Sequence, residues 1–250
     1  MELIEAKKIT ALKPAVRIEN RVNVFINEKF AFSLDLSQIV EYKLKIGKVL
    51  TPEEIEKLKH ASIFGKLYAS TLEWVLIRPR SVKETRDHLR LKLLKQNQEN
   101  KRREKNKTYL KENPELKSRA KELKIYTKKL ELFSSEDIEA VIKKLLEKNY
   151  LNDKTFANFY VENRFLKKGI SERRLREELR KKGIDATLIT EALETSSRDP
   201  EAEIEKIIKK RAKKYSSPEK LLAYLLRQGF PYELSKEKTT KFFKALPPQL

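Results

Sequence analysis

The segment Arg80-Ser81-Val82-Lys83-Glu84-Thr85-Arg86-Asp87-His88-Leu89-Arg90 returns at positions 170–180 as Ile-Ser-Glu-Arg-Arg-Leu-Arg-Glu-Glu-Leu-Arg, and a fainter copy runs from Ser217 to Leu225. A unit of this size cannot bury its own apolar face, so a chain that repeats it must stack helical supersecondary units against one another. The shared pattern is Ser, then Thr or Leu four residues on, then Leu four later: Ser81/Thr85/Leu89, Ser171/Leu175/Leu179 and Ser217/Leu221/Leu225. That is an N-cap followed by an i, i+4 apolar stripe, the opening of an amphipathic helix.

With 250 residues, 39% apolar and 38% charged, the chain can form one large or two modest cores, and an elongated array accommodates the charge better than a compact globule. The 57 basic against 37 acidic residues give a net charge of +20, a footprint suited to nucleic acid, anionic lipid or a nucleoprotein assembly. The absence of cysteine removes disulfides and thiolate metal sites, and His60 and His88 are too few and too far apart for a metal site readable from sequence. Met1-Glu2-Leu3-Ile4-Glu5 has no basic n-region with an apolar run behind it, and no stretch reaches the roughly 20 apolar residues that span a bilayer. The expectation is a soluble, cytoplasmic protein with no membrane association.

Residues 1–60 read as an N-terminal α+β module. Val22 to Ile26 and Phe30 to Phe32 flank the turn cluster Asn27-Glu28-Lys29 and predict a hairpin; Ile9 to Lys13 and Lys48 to Leu50 can add strands. Gln38 to Leu44 reads as a short helix ended by Gly47, and Thr51-Pro52-Glu53-Glu54 starts another. Beyond it every periodic segment reads as helix, with caps at Ser81, Ser134 or Ser135, Asn152 or Asp153, Ser171, Asp185, Asp199 and Ser217, and helix ends at Gly169, Gly183 and Gly229. The predicted fold is mainly α: three tandem three-helix repeat units at 61–150, 151–196 and 197–250 in an elongated array, behind the hairpin-containing module. The first unit carries a basic insertion at 95–131, where Lys and Arg alternate with Glu and Asn113-Pro114 marks a break. Two readings stand there: a projecting helical hairpin, or a lysine-rich segment that frays in solution.

On a helix, at about 100° per residue, Arg173, Arg176 and Arg180 gather opposite Leu175 and Leu179. Lys83, Arg86 and Arg90 stand at the same three offsets from Ser81. These six, with Lys181 and Lys182 and with Lys101, Arg102 and Arg103 of the insertion, are the candidate contacts to a polyanion; the plain reading is that they only solvate outer helix faces. The third copy has Glu219, Leu222 and Leu226 at those offsets, and its basic residues lie earlier, at Lys206, Lys209, Lys210, Arg211, Lys213 and Lys214. Phe159, Tyr160, Phe165, Tyr215 and Tyr224 lie near the charge, as core residues or as base-stacking platforms. Tyr68 and Trp74 read as packing residues and His88 as a surface histidine.

No Gly-rich phosphate loop, nucleophile elbow or His-Glu-x-x-His motif occurs, and five glycines leave little for a nucleotide cradle. No enzymatic activity, cofactor or metal is expected.

Ile9-Thr10-Ala11-Leu12-Lys13, Arg21-Val22-Asn23-Val24-Phe25, Phe30 to Asp35, Arg78-Pro79-Arg80-Ser81, Tyr150 to Ala157 and Arg173 to Ile184 together resemble the RecX family of bacterial recombination regulators. The resemblance covers nearly the whole chain outside 95–131. It implies three tandem three-helix units behind a β-containing extension, no cofactor and no catalysis. It further implies binding to the RecA recombinase as a filament on single-stranded DNA, with ATP hydrolysis and strand exchange restrained during homologous recombination, DNA repair and the SOS response. A monomer acting along the filament groove is the expected form. A general nucleic-acid-binding protein acting without any recombinase is the competing reading, since the same charge would serve it.

Overall fold

The computed structural model describes residues 7–15, 20–215 and 217–245, with Lys213 described by its backbone alone. Met1–Glu5, where no leader is expected, lie outside the described residues. The chain opens with strands β1 (Lys7–Pro14), β2 (Arg21–Ile26) and β3 (Lys29–Asp35), helix α1 (Leu36–Glu41) and strand β4 (Val49–Leu50). The strands form one antiparallel sheet of order β3-β2-β1-β4. The β2–β3 hairpin turns through Asn27 and Glu28 with φ of +46° and +65°, the two left-handed residues that a tight hairpin turn demands.

Asp35 and Gln38 form the capping box that starts α1. The helix ends three residues before the expected Leu44, because Lys43 turns left-handed (φ +48°) and the Leu44 amide reaches back to the Ile39 carbonyl. Ile9, Val24, Phe32, Leu34, Leu50 and Leu58 are the centre of this module's core. Two buried polar side chains seat α2 (Pro52–Leu76) on it. The Gln38 amide donates to the Ala61 carbonyl at 2.9 Å, and the Arg21 guanidinium bonds the Ser33 carbonyl and reaches the Ser62 carbonyl at 3.4 Å. Burial holds the Arg21 pKa below its usual value despite Asp35 nearby. α2 starts at its predicted Thr51/Glu54 box. It then runs unbroken through position 60, so the sheet module and the first three-helix set share one helix.

The remaining helices are α3 (Val82–Glu112), α4 (Ser135–Glu147), α5 (Asp153–Asn163), α6 (Glu172–Lys181), α7 (Ala186–Glu194), α8 (Pro200–Arg211), α9 (Pro218–Gln228) and α10 (Tyr232–Lys244). The chain is thus mainly helical with helical repeats behind a small strand module. Ser81, Ser134, Asn152, Ser171, Asp185, Asp199 and Ser217 all cap as their residue types predict. The described residues fall into two compact units, one holding residues up to Leu76 with Arg86–Glu147, the other Ile77–Thr85 with the chain from Lys148 onward. In the second unit, Phe156, Val161, Leu175, Leu179 and Ile189 form one core, and Ile204, Ile208, Leu221 and Leu225 another.

The insertion corrects the helical-hairpin expectation in one limb. The outgoing limb is helical, because α3 continues to Glu112. The return limb is a short 3-10 turn at Pro114–Leu116, further turns to Lys124, and irregular chain to Ser134. Leu116, Ala120 and Leu123 recur there at helical spacing, but the left-handed Lys124 (φ +54°) ends the run of turns before a second helix forms. The return limb is held instead by polar clasps from α3. Asn100 Nδ2 donates to the Leu130 carbonyl at 3.0 Å and Asn100 Oδ1 accepts from the Leu130 amide at 2.7 Å. Arg103 donates to the Lys128 carbonyl at 2.6 Å and Asn106 to the Tyr126 carbonyl at 3.0 Å.

Candidate interaction surface

The recurring Ser does two jobs at once. Ser81 Oγ accepts from the Glu84 amide at 3.0 Å and donates to the Lys182 carbonyl at the end of α6, at 2.8 Å. Ser171 Oγ accepts from the Arg174 amide at 3.2 Å and donates to the Gln228 carbonyl at the end of α9, at 2.6 Å. Each capping serine therefore fills an orphan donor of its own helix and an orphan acceptor of the equivalent helix in the next repeat. The basic residue two positions on repeats the contact: Lys83 Nζ donates to the Lys181 carbonyl at 2.9 Å, and Arg173 Nη2 to the Arg227 carbonyl at 3.4 Å. Lys83 and Arg173 share an offset because both clamp a helix C-terminus, where carbonyls and the helix dipole favour a cation. The glycines that end those helices, Gly183 (φ +78°) and Gly229 (φ +92°), sit against the same two side chains.

The second stripe position is also engaged. Arg86 makes a two-pronged bond to the Glu139 carboxylate at 2.8 and 2.9 Å, which holds that carboxyl below its usual pKa. Arg176 pairs with Glu172 at 2.8 Å and donates to Thr190 Oγ1 at 3.1 Å. At the first position Lys83 meets no carboxylate within 4 Å but is held by the Lys181 carbonyl, and Arg173 lies 3.9 Å from Glu177. Arg90 and Arg180, at the third, are exposed with neither a carboxylate within 4 Å nor a carbonyl partner among the described residues, although Arg90 is near enough to Glu139 to help lower its pKa. Lys181 and Lys101 are likewise open. Lys182 lies 3.6 Å from Glu84, which also takes Arg78 at 2.7 Å and Arg80 at 3.4 Å. Burial would raise the Glu84 pKa, but those three cations outweigh it and the net shift is downward. In the insertion Arg102 and Arg103 both pair with Glu99, and Lys101 is open.

The third repeat departs as its residues require. Glu219 stands where its siblings carry a cation, and the Ser217 hydroxyl holds that carboxyl below its usual pKa. Leu222 and Leu226 are half-buried. His88 is not a bare surface residue: its ring stacks on Trp74, with centroids 4.1 Å apart. Tyr68 lies beside Phe64 under Lys144, whose Nζ is 4.7 Å from its ring, and lines a polar cleft rather than the core.

Three residues that the sequence patterns did not single out organise the second unit. Arg198 bonds the Val161, Glu162 and Arg164 carbonyls at the end of α5 and lies 3.1 Å from Glu203. Buried Glu203 accepts the Ile170 amide at 2.8 Å and pairs with Lys206 at 2.7 Å. Glu178 gathers Arg164 at 2.6 Å, Arg174 at 3.2 Å and the Tyr160 hydroxyl at 2.6 Å. Burial and that carboxylate push the Tyr160 pKa up to about 12.

Among the described residues no group of His, Asp and Glu could hold a metal ion, and no helix is long and apolar enough to cross a membrane. The class defined is a helical-repeat protein whose repeats are joined cap to carbonyl and which presents unpaired cations. Family models for the regulatory protein RecX N-terminal domain and for the RecX second three-helix domain match residues 7–51 and 152–193. Proteins called regulatory protein RecX from Bacillus velezensis and Bacillus licheniformis are each 30% identical over 234 residues, covering 90% of this chain and 74% of theirs. One from Listeria monocytogenes is 29% identical over 243 residues, covering 94% of this chain and 75% of its own. A crystal structure of a regulatory protein RecX has the same fold, with a TM-score of 0.54 over 96% of this chain and 95% of that one at 21% identity. The chain belongs to the RecX family of regulatory proteins.

Proposed function

We propose that this protein binds the RecA recombinase as a filament on single-stranded DNA and restrains its ATP hydrolysis and strand exchange. Family membership supports the reading, and the observation that carries it at the residue level is the set of unpaired cations at Arg90, Arg180, Lys181 and Lys101. Lys83, Arg86, Arg173, Arg176, Lys182, Arg102 and Arg103 are contacts of a second kind, since each must release or share a partner inside the chain to reach a filament. We read the helices as three three-helix units at 61–150, 151–196 and 197–250 acting in the cytoplasm as a monomer without cofactor. The exposed charge supplies a salt-dependent attraction to phosphate and to acidic filament surfaces.

The test is ATP hydrolysis by preformed cognate RecA filaments as the protein is titrated from substoichiometric to equimolar, with a matched series in excess single-stranded DNA. Inhibition that persists in excess DNA is expected. Inhibition abolished by excess DNA, or none at all, overturns the reading in favour of a plain nucleic-acid binder.

A further inference from the structure

A cleft in the second unit, away from the stripe positions, lies between the turn after α5 and the end of α8. Lys168, Arg174, Lys210, Arg211 and Lys214 line it, and no carboxylate does. Arg174 is tied at the edge to Glu178 and to Gln228 Oε1 at 2.7 Å. The other four cations have no carboxylate within 4 Å among the described residues. Like charges gathered without counter-charge repel one another, so the cleft is a standing attractor for an anion.

Two aromatic rings lie among these cations. Phe165 has Arg164 Cζ 3.8 Å from its ring centroid, Arg174 Cζ at 5.7 Å and Lys168 Nζ at 5.6 Å. Its backbone is left-handed, with φ of +50°, a conformation a bulky residue adopts only when its surroundings hold it there. Across the cleft Tyr224 carries Arg211 Cζ at 5.9 Å and packs at a 35° tilt against Tyr215, with ring centroids 5.4 Å apart. Phe165 and Tyr224 are half-buried: each packs against a hydrophobic core and also lines the cleft.

We propose that this cleft binds a segment of single-stranded nucleic acid, with Lys168, Lys210 and Lys214 on successive phosphates and Phe165 and Tyr224 stacking unpaired bases. Cations alone would fit any polyanion. The interleaved rings select a strand whose bases are free to stack, which a duplex withholds and an acidic peptide lacks. The site goes beyond filament regulation, since it needs no recombinase, and its failure is separate from the failure of that reading.

The test uses the full chain without recombinase and reads fluorescence anisotropy of a labelled oligothymidylate across a salt series. The K168Q/K210Q/K214Q variant is expected to bind at least about tenfold more weakly, with a salt slope smaller by about 2, since each phosphate that a lysine neutralises on a single strand adds roughly 0.7 to the slope. A control, K66Q/K148Q/K244Q, removes the same charge from exposed positions outside the cleft and is expected to keep the slope. Phe165→Leu with Tyr224→Leu is expected to weaken the oligonucleotide about tenfold and leave polyphosphate binding unchanged. The proposal is overturned if the cleft and control variants lose slope equally. It is also overturned if polyphosphate or polyglutamate competes as well as the oligonucleotide, or if duplex DNA binds more tightly. The three lysine changes fall on exposed side chains, so that arm stands even where the aromatic pair disturbs packing.

Discussion

At the residue scale the repeated serines and the cations two places beyond them are structural, and the cations nine places beyond are open. Ser171→Ala removes an N-cap and leaves the Gln228 carbonyl without its donor, so a loss of about 2 kcal/mol is expected in urea unfolding. Reversal of charge at Arg90 and Arg180 is expected to leave the urea midpoint in place while lowering filament affinity and its salt dependence; a shifted midpoint with unchanged affinity would reverse that assignment. Glu178 supplies a pH signature. Burial would raise its pKa, but hydrogen bonds from Arg164 and Tyr160 outweigh that and lower it. A carboxyl lowered in the folded state stabilises fully above its unfolded pKa, near 4.3, and that stability is lost as pH falls through the folded value. Tyr160, raised to about 12, works in the other direction: its contribution is complete below the unfolded value of about 10 and is lost as pH climbs towards 12. Unfolding free energy against pH is therefore expected to fall at both extremes. Glu178→Gln should flatten the acid limb, and Tyr160→Phe the alkaline one.

At the scale of the element, the insertion is a helix with a tail clasped along it, and Asn100 and Asn106 are the clasps. Replacing both by Ala is expected to speed amide exchange at Leu130, whose N–H bonds Asn100 Oδ1, while α3 keeps its helix signal by circular dichroism. Deleting 95–131 should weaken filament or DNA binding most at low salt, and an unchanged salt slope would deny its lysines a contact role. The caps, the hairpin and the glycines Gly183 and Gly229 were legible in the sequence because each rests on local backbone chemistry: a side-chain oxygen at an N-cap, or a residue that tolerates positive φ. Gly169, expected to end a helix, instead follows a turn, since α5 already stops at Asn163. Three other things were not legible. The unbroken α2 was hidden because nothing local interrupts or demands a join at position 60; the docking of Gln38 and Arg21 against its carbonyls is long-range. The return limb was misread because Lys and Glu favour helix by propensity, whereas the chain follows turns that end at the left-handed Lys124 and is then clasped by α3 side chains. The Ser, +2 and +5 offsets looked like one basic face, because sequence shows which way a cation points along its own helix and not which carbonyl or carboxylate of another element awaits it.

For the second unit taken whole, the clamps run in one direction. The start of α3 holds the end of α6, and the start of α6 holds the end of α9. α9 begins with Pro218 and Glu219, so it lacks the cation with which α3 and α6 clamp a neighbouring helix end. In such an array neighbouring repeats unfold together to the extent that their interface, rather than their own core, supplies the stability. Gly229 lies at that interface. Its φ of +92° disfavours any side chain, and a Cβ there would come within 2.5 Å of Arg173 Nε and 3.0 Å of Ser171 Oγ. Gly229→Ala therefore strains the end of α9 by about 1–2 kcal/mol and pushes on the clamp from α6 at the same time. Native-state hydrogen exchange reads the consequence. If the clamp couples the repeats, the buried amides of Leu175 and Leu179 in α6 lose protection along with those of Leu221 and Leu225 in α9, and by a similar amount. Loss confined to α9 would mean that each three-helix set stands on its own core, and that the serine bridges only register one against the next.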